Sequence, residues 1–410
     1  MRKPGEPSTV SLLLAATGRT YFPIAFIARF PYAMIVVGVL TLIVIVRDSL
    51  ALGGLVSACV GLGTAAVGPL IGAAADRFGQ RRVVLVAGIA NGLALLLITW
   101  CASFSPDAVV LLVAVVVGAT APQVSPLSRS RLVGIISTRM PSARRASILN
   151  SVFSYESAAD EVTFVFGPVL VGALATTIGP QSAVIGAALL EFVFVTAFAV
   201  HPTSRLAAHE SAVRDREPVS ALLRPRLLVL VVGATAVGLF FGAMLTALTA
   251  VMGVLGSADQ SGLVYGAMGV GSAAFALGVA LFPARFTLRA RWLSFACVLL
   301  VGAVLFAVLT AALGTVVGAL IVAGIGVGPT LVTLYSLAAL RSPAGRSATV
   351  MTMLGSGIVV GQAAASGIVG AVASTTSAGV AAYAPAIAAL LVLAAAVVNW
   401  PLSRVRRSSG

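Results

Sequence analysis

Apolar stretches of about twenty residues, the length an α-helix needs to cross a bilayer, recur along the whole chain and are separated by short polar gaps. Twelve can be placed: 21–46, 51–75, 83–104, 108–128, 147–175, 182–200, 227–250, 261–282, 292–312, 315–338, 347–373 and 381–400. The gaps alternate in charge. Arg2, Lys3 and Arg19 precede the first stretch, and Arg77, Arg81 and Arg82 follow the second. Arg129, Arg131, Arg139, Arg144 and Arg145 follow the fourth, and Arg205, Arg214, Arg216, Arg224 and Arg226 the sixth. Arg285, Arg289 and Arg291 follow the eighth, Arg341 and Arg346 the tenth, and Arg404, Arg406 and Arg407 the twelfth. The intervening gaps hold only Arg47. Cations confined to alternate loops mark the cytoplasmic side. The expectation is an all-α, multi-pass protein of the cell (inner or plasma) membrane with both termini cytoplasmic.

The longest polar segment, 201–226, carries both histidines, His201 and His209. It divides the chain into an amino-terminal six-helix bundle, 1–200, and a carboxy-terminal one, 227–410. Two similar bundles are the layout of many secondary transporters. Composition fits: 59% of residues are hydrophobic and only 9% charged, far too few charges to coat a soluble protein of 410 residues. The net charge of +14 therefore reads as topology and not as nucleic-acid binding. Cys59, Cys101 and Cys297 lie far apart within apolar stretches, so neither a disulfide framework nor a metal site is expected. The polar start runs from Met1 to about Gly18 into a full-length span without a cleavage site, so no signal peptide is expected.

Small residues spaced four apart, at Gly68 and Gly72, Gly262 and Gly266, and Gly357 and Gly361, predict close helix contacts. Pro31, Pro122, Pro126, Pro168 and Pro329 predict bends, and Gly324, Gly326 and Gly328 should make the tenth span deformable.

Between the second and third spans runs GPLIGAAADRFGQRRVV. It resembles the signature loop of the major facilitator superfamily (MFS), matched at Gly72, Asp76, Arg77, Gly79, Arg81 and Arg82. GPVLVG in the fifth span, with Gly167, Pro168 and Gly172, is similar to the Gly-Pro motif of exporters in that superfamily. The resemblance implies the prokaryotic twelve-helix MFS fold, two pseudo-symmetric bundles of six transmembrane helices, functional as a monomer, and a loop that stabilises one transport state. Independently of the family, Asp76 at a membrane edge can accept hydrogen bonds from a guanidinium or a helix N-terminus, which makes a two-state latch. Arg129, Arg131 and Arg346 are candidate partners. The loop after Leu281 keeps the cations but lacks the acid.

The fifth span carries Glu156, Asp160 and Glu161. They stand roughly 13 to 21 Å along a helix beginning near Ser147, close to the bilayer centre. Glu156, Asp160, Thr163 and Gly167 share one face, with Glu161 on its flank. A charged acid at that depth costs about 3 kcal/mol. Three within six residues point to a use, and loading and releasing protons is the simplest. Arg29 in the first span is expected to pair with one of them. Glu191 in the sixth reads as a structural hydrogen-bonding or snorkelling group. The histidines, placed in the loop, are excluded from coupling. The second half contributes Gln362, Tyr335 and Tyr265 as candidate cavity residues, a wall better suited to amphipathic or lipophilic solutes than to sugars.

These residues point to proton-coupled efflux of small organic compounds by alternating access, with protons, solute and the lipid bilayer as partners and no cofactor or metal. Import of a small nutrient such as a cationic metabolite is the alternative, and a non-transporting membrane sensor the reading from another class. Enzymatic ATP hydrolysis through a phosphate-binding Lys loop is excluded, because Lys3 is the only lysine.

Overall fold

A computed structural model describes residues 9–205, 217–256, 260–283 and 285–402. Arg2, Lys3, His209, Arg214, Arg216, Arg404, Arg406 and Arg407 lie outside them. Among the described residues the regular structure is entirely helical. A short helix, Thr9–Thr17, precedes twelve helices long and apolar enough to cross a membrane. These spans are Tyr21–Arg47, Leu52–Phe78, Gln80–Phe104, Asp107–Arg139, Ser142–Thr177, Ser182–Val200, Pro225–Val254, Ser261–Leu281, Leu288–Val308, Leu313–Arg341, Ser347–Thr375 and Ala378–Leu402. Each overlaps one stretch of the expected series in order, so hydropathy located every span. Large apolar side chains such as Leu62, Leu112, Val270 and Ile387 are exposed, as lipid-facing positions require.

The fold comprises two compact units. One is Met1–Val152, Phe166–Glu217 and Ala344–Thr352; the other is Phe153–Val165, Pro218–Pro343 and Met353–Gly410. The middle of the fifth span thus belongs with the later helices, and the start of the eleventh with the earlier ones.

In the first unit, Met34, Val39, Leu42, Val56, Leu95, Ile98, Val113 and Val184 form one continuous apolar core. Two of its helices are interrupted at prolines. The first span breaks between Tyr21–Ile27 and Phe30–Arg47, where Pro31 offers no N–H to the preceding turn. The fourth breaks between Asp107–Thr120 and Val124–Arg139, and Ala121, preceding Pro122, is extended. Neighbouring side chains serve the carbonyls at that break. Thr64 Oγ1 donates to Gly118 O at 3.1 Å and Asn91 Nδ2 to Val117 O at 2.6 Å. Such substitution by neighbouring helices is what makes a broken helix tolerable in lipid. Arg47, the isolated cation, has a local use as well. Its Nε donates to Ala102 O at 2.6 Å and its Nη2 to Cys101 O and Ser105 O, capping the C-terminus of the third span.

Two expectations change, and the glycines of the tenth span gain a packing role. The fourth span does not end near 128: it continues to Arg139, and Arg129 and Arg131 are buried helical residues, not loop cations. Hydropathy falls there because the helix is polar and packed against protein. Gly324, Gly326 and Gly328 are also close-packing positions. They lie in the uninterrupted helix Leu313–Arg341, where they meet the backbone of Met268, Leu299 and Ser272. Gly262 is not a packing position, because a side chain there would meet nothing within 4 Å. The eighth span makes its close contact through Gly271, against the tenth at Ile321.

Candidate functional site: a helix-capping carboxylate and a row of intramembrane acids

The second and third spans are joined by Gly79 alone, whose φ of +86° favours glycine. One turn earlier stands Asp76, only 8% exposed. Its Oδ1 accepts from Ala348 N–H at 3.0 Å, and its Oδ2 from Thr349 N–H at 2.7 Å and from Thr349 Oγ1 at 2.6 Å. These donors are the unsatisfied amides of the first turn of the eleventh span, and a carboxylate there also meets the positive end of the helix dipole. All of these groups belong to the first unit. Gly72 permits the approach, since a Cβ there would collide with Thr352 Oγ1 and Ala348 O. Arg77, Arg81 and Arg82 are exposed.

The arginines expected as latch partners have bonds of their own. Arg131 Nε donates to Gln80 Oε1 at 3.0 Å and its Nη1 to Phe198 O at 2.8 Å, with the guanidinium 3.9 Å above the Phe198 ring. Arg129 Nη1 donates to Ser125 Oγ, and Arg346 Nε to Glu217 O at 2.7 Å. The sequence offers a helix N-terminus as one kind of partner for Asp76, but nothing in it singles out Thr349.

Charge-assisted hydrogen bonds contribute about 1.5–3 kcal/mol each. Asp76→Asn loses the charge and turns an amide N–H₂ toward donors. Amide hydrogen exchange over 347–352 is expected to accelerate at least ~10-fold. Unchanged exchange would show that the carboxylate does not hold this helix end.

The acids lie midway along the uninterrupted helix Ser142–Thr177, as the sequence placed them. Glu156 is fully buried, whereas Asp160 and Glu161 are half-buried. All three belong to the second unit. There the eighth span presents Tyr265, Gly269 and Ser272 on one face, spaced i, i+4, i+7. Ser272 Oγ donates to Glu161 Oε1 at 2.6 Å. Gly269 leaves room beside Glu161 Oε2, which lies 3.9 Å from where a Cβ would stand. Tyr265 and Asp160 are within electrostatic reach of Glu161. Ser272 itself is fully buried and backed by Gly328 of the tenth span. This gives a carboxyl held by one hydroxyl, with a phenol and a second carboxyl nearby, a constellation that can bind either a proton or a cationic group.

Other expected positions are dispersed. Arg29 is buried at the break in the first span. Gly167 packs on Ala33, while Gly172 meets nothing within 4 Å. Tyr335 is buried, and Gln362 is half-buried with its carbonyl against Gly242. Glu191 departs from expectation: it is buried, neither snorkelling nor hydrogen-bonded at Oε2, and opens a π-helical stretch, Glu191–Val195, against Gly88 of the third span. His201, just past the end of the sixth span as expected, is buried and hydrogen-bonded.

Residues 21–353 match the Major Facilitator Superfamily. The chain belongs to that superfamily. By general kind it is a membrane transporter of small solutes, not an enzyme. Several solved structures share its fold. A bacterial homologue of the iron transporter ferroportin, in an outward-facing state with soaked iron, is 17% identical and superposes with a TM-score of 0.71, over 97% of this chain and 100% of its own. The human organic anion transporter MFSD10 (TETRAN) is 16% identical with a TM-score of 0.67, over 95% and 100%. The proton:xylose symporter XylE is 14% identical with a TM-score of 0.65, over 94% and 96%. At these identities the likeness establishes the fold alone. No curated protein matches the chain by sequence.

Proposed function

We propose that this transporter exports small amphipathic or lipophilic organic solutes in exchange for protons, working as a monomer in the plasma membrane with both termini in the cytoplasm. Two six-helix halves, 1–200 and 227–410, alternate access to the solute. The reading rests chiefly on Glu161, an intramembrane carboxyl held by Ser272 of another helix. A carboxyl at such depth is expensive to bury without a role, and one that gives up its proton can exchange it for solute. Glu156 and Asp160 supply neighbouring charge, and Arg29 is proposed to take part in coupling. The Asp76 cap on the eleventh span is the closed form of a latch at the cation-rich end, and its release lets that end open. Gln362, Tyr335 and Tyr265 are proposed to face the solute.

The test uses purified protein in proteoliposomes under an imposed pH gradient. Solutes are first chosen by ligand-induced thermal shift from cationic, neutral and anionic amphiphiles. Export predicts that acid inside the vesicle compartment facing the non-cytoplasmic side drives solute toward that compartment. Movement in the direction of the protons would replace export with symport, and transport indifferent to the gradient would remove proton coupling.

A further inference from the structure

His201 sits at the end of the sixth span, where the segment joining the two halves begins. The surrounding bonds define its protonation state. The main-chain N–H of Thr203, which can only donate, points at Nδ1 at 3.4 Å, and Thr203 Oγ1 lies 3.0 Å from the same nitrogen. Nδ1 is therefore an acceptor, and the ring proton resides on Nε2, 3.2 Å from Thr20 Oγ1. Thr203 Oγ1 in turn accepts from Arg131 Nη1 at 3.3 Å. The Tyr21 ring packs edge-on at 5.5 Å, and Tyr21 Oη bonds Ser128 Oγ at 2.9 Å. Through Arg131 the network extends to Gln80 and the Phe198 carbonyl. One imidazole thus ties together the cation-rich ends of the first, third, fourth and sixth spans, all within the first unit.

The charged and titratable groups facing this imidazole are Arg131 from the fourth span and Tyr21 from the first; Arg19 and Arg205 nearby are exposed. Neither His201 nor Arg131 has a carboxylate partner among the described residues. A second proton on Nδ1 would turn the Thr203 main-chain N–H against another N–H and set a cation beside a buried guanidinium.

We propose that His201 is an acid-operated clasp: neutral, it fastens the end of the sixth span and the start of the joining segment to the first and fourth spans, and protonation releases them. Burial, and then the charge of Arg131, hold the imidazole below its ordinary value of 6.5. The sign follows from linkage. With the closed-state value depressed, the clasp is at full strength above 6.5 and weakens as pH falls through the closed-state value. The device regulates access by the acidity of one face and is separate from the fifth-span carboxyls.

The chain's two histidines make the test direct. Nitrogen NMR of histidine-labelled protein in nanodiscs, with His209→Gln to assign the signals, should give the Nε2–H tautomer at neutral pH and a midpoint below 6.5. Amide exchange over 17–21 and 198–205, corrected for intrinsic rates, should be ~10-fold faster at about pH 5.5 than at about pH 7.5. His201→Gln, which can still donate and accept but cannot take the proton, should exchange slowly at both. An Nδ1–H tautomer, a midpoint at or above 6.5, or acid-accelerated exchange persisting in His201→Gln would overturn the clasp. The tautomer and midpoint are read on His201 itself, so the test survives a variant that folds poorly.

Discussion

Replacing Glu161 with Gln is expected to abolish solute accumulation driven by a proton gradient while leaving the protein folded. The separation follows from what the glutamine keeps. Ser272 Oγ donates to Glu161 Oε1 at 2.6 Å, and a glutamine carbonyl can occupy the same place and accept the same bond. Volume and packing beside Gly269 are preserved. Only the exchangeable proton and its charge are removed. One charge moving through 100 mV is worth about 2.3 kcal/mol, which at 1.4 kcal/mol per tenfold sustains a gradient of roughly 50-fold. The accumulation ratio should fall from up to that figure toward 1, while solute equilibration down its own gradient persists. Glu156→Gln and Asp160→Asn, measured in parallel, identify how the load is shared along the helix. Full proton-driven accumulation in all three variants would end the coupling role. Loss of folding in Glu161→Gln, judged by thermal melting, would instead make the Ser272 contact structural.

The acids were legible in the sequence because their position is expensive: nothing but burial in protein or a water-filled path reconciles three carboxyls with the middle of an apolar helix. The spans were legible for the same reason, since lipid imposes both length and apolarity. What could not be read is where those groups find partners. Ser272 lies 111 residues from Glu161, and Thr349 lies 273 residues from Asp76. Serine and threonine are so common in membrane helices that neither stands out, although Tyr265, Gly269 and Ser272 share a helical face. The break at Pro122 was visible, but its repair by Thr64 and Asn91 depends on helices brought together only by folding. The burial of Arg131 and His201 was hidden for one physical reason. Hydropathy treats a polar residue at a span end as solvated, yet here a carbonyl, an aromatic face and two hydroxyls replace water.

The tenth span yields the second large effect, and it concerns stability. Gly324 and Gly328, one turn apart, bring the helix against the backbone of the eighth span at Met268 and Ser272. Gly326, about 200° around the helix from either, does the same to the ninth span. A Cβ at Gly326 would stand 2.5 Å from Leu299 Cα and 2.8 Å from Leu299 Cβ, where ordinary carbon contacts need about 3.5–4.0 Å. No flexible side-chain end is available to move aside, so two helices must separate. Gly302 approaches Ala323 in the same way from the ninth span, which leaves no slack on the facing side. Overpacking costs about 1–3 kcal/mol when side chains can adjust and more against backbone. Gly326→Val is therefore expected to lower the melting temperature by at least about 3 °C. Gly318 provides the control on the same helix: a side chain there meets nothing within 4 Å. Gly318→Ala removes a flexible residue from a helix interior and should melt no lower than the parent. Equal melting of Gly326→Val and the parent would show that the ninth and tenth spans are not held at this distance. The consequence extends to the carboxyl site, because the helix that Gly326 seats also presents Gly328 to Ser272, and Ser272 holds Glu161.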